Sequence, residues 1–337
     1  MAKIQPCERI IQFTLAAAAD GQVLDVMQAL SMQNRKAFRQ CMEVGIETVE
    51  IYGTDNTGSG YVDVHRIPQT WVTANAIVKA RAMWLEQQNE VLEETDGWSA
   101  RAKYRDFKIY YNADHADGTV TSLYPQAYLT LAEAQAIDPG AQYDWDYSDV
   151  LLPNFQGTPG NSVAMPLTAI GSDNGGNSAS VVEAYAESRA RPHPIDPSIV
   201  AEAGSSYLEG GLYSEMQDLG EIVEPLQDNI RFENSSPPYI IGGVDSQFEF
   251  YPAGSQNPAG PGGVNTGLNG TLQDRLLLRS STALATDQTG PFSAFLGLIH
   301  FSNAFFVDGV LSPVFVRVKV MAGTHKGIAA RDMGEVN

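Results

Sequence analysis

The chain has 337 residues with 43% hydrophobic content, long enough to bury a substantial core and too apolar for wholesale disorder. Its net charge is −19, and the acid is concentrated: residues 111–270 hold 21 of the 40 acidic residues against only Arg189, Arg191 and Arg231, a balance of −18. Such a surface favours solubility and repels nucleic acid, and with Cys7 and Cys41 as the only cysteines a disulfide framework is excluded as the source of stability.

The N-terminal "MAKIQPCERIIQFTLAAAAD" loosely mimics a signal peptide, but Pro6, Glu8, Gln12 and Thr14 interrupt the part that should be apolar. A strand is expected at 8–15. Arg35, Lys36 and Arg39 follow in "QNRKAFRQ", then strands at 43–52 and 61–67 around the turn-rich 53–60. In that turn Asp55, Thr57, Ser59, Gly60 and Asp63 echo a calcium loop. Arg66 stands where the bidentate glutamate belongs, so a tight turn is the better account.

Residues 70–94 read as one long helix, with Thr70 as N-cap. Ile77, Trp84 and Val91, shadowed by Val78, Leu85 and Leu92, give it one broad apolar stripe. Its last turn carries Glu86, Glu90, Glu93 and Glu94, the wrong sign for a helix C-terminus. Arg101, Lys103, Arg105 and Lys108 supply compensating charge if the chain folds back. Alternatively Arg101, Lys103 and Arg105, interleaved with Tyr104 and Phe107, suit contact with single-stranded nucleic acid.

A strand is expected at 104–111 and a short helix near 130–137. "YDWDYSD" (143–149) then sets Asp144, Asp146 and Asp149 among Tyr143, Trp145 and Tyr147. Paired carboxylates with stacking aromatics suit glycosidic chemistry. The same row suits an exposed strand, or a subunit contact with calcium across it. Further strands are expected at 163–170, 180–187 and 273–281, and a helix at 212–228 that Pro225 ends; 171–178, 190–198 and 251–270 are loop.

The most apolar stretch is 290–323. "VFVRVKV" (314–320) alternates Val314, Val316, Val318 and Val320 against Phe315, Arg317 and Lys319. "FSAFLGLIHF" (292–301) is apolar on both faces, as a strand covered twice would be. His300, Ser302, Asn303 and Asp308 break the run below the roughly 18 apolar residues of a transmembrane helix. Asp308-Gly309 and Ser312-Pro313 mark turns, so the stretch reads as adjacent strands at the centre of a sheet.

No HExxH, GxxxxGK[ST], GxSxG or CxxC occurs, and the five histidines stand far apart in sequence. In arrangement the chain resembles the jelly-roll major capsid proteins of small tailless icosahedral viruses. The resemblance rests on the loops 171–178 and 251–270, on "IRFENSSPPYIIGG" (230–243) and on "FLGLIHF…VFVRVKVMAGTHKG", which looks like closing strands that return beside the first. It implies an antiparallel jelly-roll β-sandwich with long loops and one inserted long helix, or a tandem double jelly roll. Residues 1–110 and 271–337 would form the scaffold, and 111–270 acidic, outward-facing elaborations.

The implied function is self-assembly into a virion shell, made in the host cytoplasm, with itself as principal partner and calcium at Asp144, Asp146 and Asp149 as the ion to expect. Genomic nucleic acid would meet a folded inner surface through Arg35, Lys36, Arg39, Arg101, Lys103 and Arg105; minor capsid proteins or an internal membrane are the other partners. Two readings compete: a carbohydrate-binding or glycoside-active β-sandwich using 143–149, and a phage capsid of the other common architecture with 70–94 as spine helix.

Overall fold

A computed structural model describes residues 7–18, 21–94, 99, 105–126, 145–153, 162–171, 178–182, 184–185, 270–280 and 285–333. Along the chain run β1 (Ile10–Leu15), β2 (Gln22–Asp25), α1 (Val26–Asn34), β3 (Glu43–Gly53), β4 (Ser59–Arg66), α2 (Trp71–Glu94), α3 (Ala113–Ala116) and β5 (Thr121–Ser122). Next come β6 (Asp149–Pro153), β7 (Ser162–Thr168), β8 (Ala179–Ser180), β9 (Thr271–Leu278), β10 (Thr286–Gln288) and β11 (Phe292–Phe295). The chain closes with β12 (Leu298–Val307), β13 (Val310–Leu311), β14 (Val314–Val320), β15 (Ala322–His325) and β16 (Ala330–Arg331). The described chain is mainly β, with curled antiparallel sheets.

Two compact units divide it: Met1–Pro68, Asp106–Asp146 and Asn269–Asn337 form the first, Gln69–Arg105 and Tyr147–Leu268 the second. The first unit holds two six-stranded sheets. One runs β1-β14-β3-β10, with β11 and β16 also on β3; the other runs β5-β2-β12-β4-β9, with β13 as a hairpin on β12.

Alternation explains both sheets. In β14 Val314, Val316, Val318 and Val320 are fully buried, and the intervening residues face out. There Arg317 lies opposite Glu50 and bonds its carboxylate at 3.4 Å, a cross-strand pair of opposite charges. The inward residues of the two sheets share one core. Phe13 of β1 meets Phe301 of β12 edge-on, ring centroids 5.4 Å apart, among Ile11, Val62, Val64, Ile299 and Phe305.

The stretch 290–323 does not lie in one sheet, as its apolar density suggested. Leu296 (φ 57°) and Gly297 (φ 71°) make a left-handed turn after β11, which sends β11 to the first sheet and β12 to the second. A Cβ on Gly297 would come within 3.2 Å of Val44 and 3.3 Å of Met27, so the turn also needs the space. β12 and β14 are nevertheless both central, each flanked by two strands. Asp308 (φ 50°) and Gly309 (φ 78°) form the tight β12–β13 hairpin turn expected of Asp-Gly.

Strands appear within 8–15, 43–52, 61–67, 163–170 and 273–281 as expected, and in the turn between β3 and β4 Asp55 bonds the Thr57 N–H at 2.7 Å. Of 180–187, Ser180 alone is strand among the described residues, ending β8; Val181 and Val182 are helical. The described part of 104–111 pairs only through a bridge at Tyr110. The helices expected near 130–137 and 212–228, and the loop 251–269, lie outside the described residues.

In the second unit α2 begins as read. Thr70 accepts the Thr73 N–H at 3.2 Å. Its buried face is Val72, Ala76, Ile77, Ala80, Met83 and Trp84, while Val91 is 50% exposed. The stripe thus depends on alanines that a search for large residues passes over, and it ends before the last heptad position expected of it. The Gln87 amide clips the backbone of Leu151 in β6 in both directions, at 2.6 and 3.2 Å. β6 pairs antiparallel with β7, and β7 parallel with β8. No helix among the described residues is long and apolar enough to cross a membrane.

Candidate functional site

Two features of the first unit carry chemistry: a layer of buried polar groups over half of the second sheet, and an exposed apolar face on its other half.

The layer is built by residues 106–126. The side-chain amide of Gln40 gives and takes a hydrogen bond at Ile109 (3.1 and 2.9 Å), standing in for a neighbouring strand. Beyond it Tyr111 stacks on His300, centroids 5.7 Å apart and planes at 16°, and His300 lies opposite His65 on β4. Burial pushes the Tyr111 hydroxyl well above its usual pKa and lowers that of His65. His115 of α3 is buried; its Nδ1 accepts the Tyr111 N–H at 3.2 Å and its Nε2 lies 2.9 Å from Ser122 Oγ. That arrangement assigns the neutral tautomer with the proton on Nε2, and burial lowers the pKa to about 4.

At the other end of this layer stands Asp25, the last residue of β2 and the N-cap of α1. Its Oδ1 accepts the N–H groups of Met27 (3.0 Å) and Gln28 (3.2 Å), and its Oδ2 accepts the indole N–H of Trp145 (3.2 Å). Burial raises the carboxyl pKa to about 6 despite those donors and the Lys108 charge. Lys108, itself buried, sits over the Trp145 ring at 4.7 Å, pairs with Asp106 at 3.0 Å and donates to the Asp146 carbonyl at 3.3 Å. One face of Trp145 is therefore occupied by a cation of its own chain.

The exposed face is formed by β12, β4 and β9. Register places Ala304 by Tyr61 by Leu277, and Ser302 by Asp63 by Arg275. Arg275 grips Asp63 with two bonds (2.7 and 2.8 Å) and covers the Tyr61 ring at 4.1 Å. Around this pair Leu272 (48%), Leu277 (44%) and Phe306 (44%) are exposed, and Val310 (67%) projects from the adjoining hairpin.

The charged residues singled out in the sequence are dispersed. Arg35 is exposed at the C-terminus of α1 with φ 50°, where its charge suits the helix dipole; Lys36 follows, and Arg39 pairs with Asp106 at 3.9 Å. Arg105 belongs to the second unit and bonds Asn89 Oδ1 (2.7 Å) and the Leu85 carbonyl (3.4 Å) of α2, so it does fold back along the helix. Arg101, Lys103 and Asp144 lie outside the described residues. Asp146 ends a segment of the first unit, and Asp149 opens β6 in the second, where partial desolvation raises its carboxyl pKa. Among the described residues no three His, Cys, Asp or Glu side chains gather as a metal-binding group.

The sequence reading missed Asp25, His115 and the Arg275–Asp63 pair. Asp25 had a usable signal, an aspartate directly before the helical run "VMQALSMQN". Trp145 had none for its role, since its partner lies 120 residues away.

No family model matches the chain, and no curated protein and no solved structure matches it.

Proposed function

We propose that this chain is a jelly-roll viral coat protein that self-assembles into a closed icosahedral shell around a genome. The observation that carries the reading is strand order. Take β1, β2, β3, β4, β9, β10, β12 and β14 as eight successive strands: one sheet runs first-eighth-third-sixth and the other second-seventh-fourth-fifth. This is the order that the double Greek key of a jelly roll would give, and so it supports the reading; the architecture is common to capsid and lectin domains. A single roll takes in eight of the twelve strands of these two sheets, with β5, β11, β13 and β16 as additions to it, which favours one barrel over a tandem pair.

Fold alone does not decide between shell and lectin. The apolar face of Leu272, Leu277 and Phe306, with Val310 beside it, favours the shell, because exposed apolar surface gathered on one sheet face is characteristic of association. The Trp145 ring, committed to Asp25 and Lys108, is a poor sugar platform. On this reading the acidic insertion, carrying most of the −18 of residues 111–270, faces outward, since a genome inside would be repelled by it.

The test is the size of the purified chain by light scattering and negative-stain microscopy. Large symmetric homo-oligomers are expected; a monomer across a wide range of concentration and salt refutes the proposal.

A further inference from the structure

The junction of Asp25, Trp145 and Lys108 has a property that neither a shell nor a lectin requires. A carboxylate buried at the start of α1 uses one oxygen for the helix and leaves the other to hold a side chain from far along the chain. Trp145 and Asp146 are the last residues of their segment in the first unit; at Tyr147 the chain passes into the second. The indole, with the Asp146 carbonyl that Lys108 holds, is thus among the last fastening points of this segment before the chain passes into the second unit.

We propose that the Asp25–Trp145 contact is an acid-released latch, closed by the ionised carboxylate and opened when Asp25 takes up a proton. The geometry dictates which oxygen receives it. Oδ1 already accepts two N–H groups, from Met27 and Gln28, so the proton goes to Oδ2, which faces the Trp145 N–H. The indole then faces a neutral hydroxyl, a weaker acceptor than the carboxylate oxygen and itself a donor, and its bond loosens.

The charged groups around the site work in the same direction. Lys108 is the cation facing Asp25 from 106–126, balanced by Asp106 at 3.0 Å, which Arg39 also approaches at 3.9 Å. Asp146, beside Trp145, contributes its backbone carbonyl to Lys108. β12 places Leu298, uncharged, opposite Asp25. Once Asp25 is neutral, Lys108 retains Asp106 and the Asp146 carbonyl as partners, so no buried cation is stranded to pull the carboxylate back to its charged form. Burial places the protonation near pH 6, within the range of mild acidification.

The experiment uses the full chain labelled with 15N at tryptophan, which gives four indole signals, with Trp145→Phe to assign the one of interest. Between pH 7 and 5 the Trp145 indole resonance is expected to move with a midpoint near 6, and its exchange protection to fall roughly fivefold to tenfold, the scale of one lost hydrogen bond. Asp25→Asn abolishes the movement, while His115→Gln, which removes the nearby buried imidazole, leaves it in place. An indole signal indifferent to this pH range, or one that still titrates in Asp25→Asn, overturns the latch. Should Asp25→Asn fail to fold, the parent chain decides: the Asp25 carboxyl carbon and the Trp145 indole must share one midpoint, and separate midpoints overturn the proposal.

Discussion

Acidification should destabilise the first unit through His115, and replacing that residue should remove the effect. The neutral imidazole accepts from the Tyr111 N–H at Nδ1 and contacts Ser122 at Nε2. Burial penalises the charged imidazolium, and so the His115 pKa is lowered from 6.5 to about 4. A lowered folded-state pKa means that the stability His115 confers is fully present above 6.5 and is lost as pH falls through about 4. The difference corresponds to about 3 kcal/mol, at 1.36 kcal/mol per pH unit.

Asp25 acts oppositely over nearly the same interval. Its raised pKa gives stability that is present below 3.8 and lost as pH rises through about 6, so the parent's own pH profile is flattened. Comparison with His115→Gln cancels the Asp25 contribution. At pH 7 the variant should be less stable by about 1–3 kcal/mol, for the lost hydrogen bonds. The gap should close, and then reverse, as pH approaches 4. Urea unfolding followed by hydrogen exchange at the β12 amides reads it directly. A gap that stays constant from pH 7 to 4 would show that His115 titrates as an ordinary exposed histidine, and the account of its burial would be wrong.

Two further outcomes are expected. Phe301→Ala, at a fully buried ring packed edge-on against Phe13, should cost about 3–5 kcal/mol in thermal or urea unfolding; a parent-like melt would mean that the two sheets do not share this core. Leu277→Glu, on the exposed face beside Tyr61, should leave the melt unchanged while light scattering shows loss of assembly; particles of normal size would remove that face from the subunit contact.

Strands with a clean period of two were legible in the sequence, and the elements that substitute one kind of partner for another were not. β14 shows its alternation in seven residues, and its burial follows it position by position. β2 is only four residues and runs straight into α1, with Asp25 ending the one and capping the other, so that single aspartate is all that marks the boundary. The segment 104–111 has the apolar content of a strand, yet where it is described its backbone is met by the Gln40 amide as well as by a bridge at Tyr110. Periodicity does not encode such a substitution. In α2 the heptad of large residues is buried at Ile77 and Trp84 but not at Val91, and the buried face also takes in Val72, Ala76, Ala80 and Met83, which that heptad does not include.

The same use of side chains as backbone partners constrains how copies of the first unit can associate. β9 is one edge of the second sheet, but the Leu277 N–H is held by Asp287 Oδ2 and the Arg275 N–H by Asp274 Oδ1. β1 is one edge of the first, and there the Ile10 carbonyl accepts from Gln33 and the Gln12 carbonyl from the Gln126 N–H. Carboxylates along an open edge also repel an incoming strand carrying the same charges, which is how β proteins avoid edge-to-edge growth. With these two of the four sheet edges occupied in this way, strand addition at β1 or β9 is a poor route to a larger assembly. On the proposed reading association falls to the faces, and the β12–β4–β9 face offers aliphatic and aromatic side chains around an Arg275–Asp63 pair already fixed in place. A contact made through a rigid face holds one angle between neighbours, and a closed shell needs that constancy; a contact made through a free edge would propagate into a ribbon.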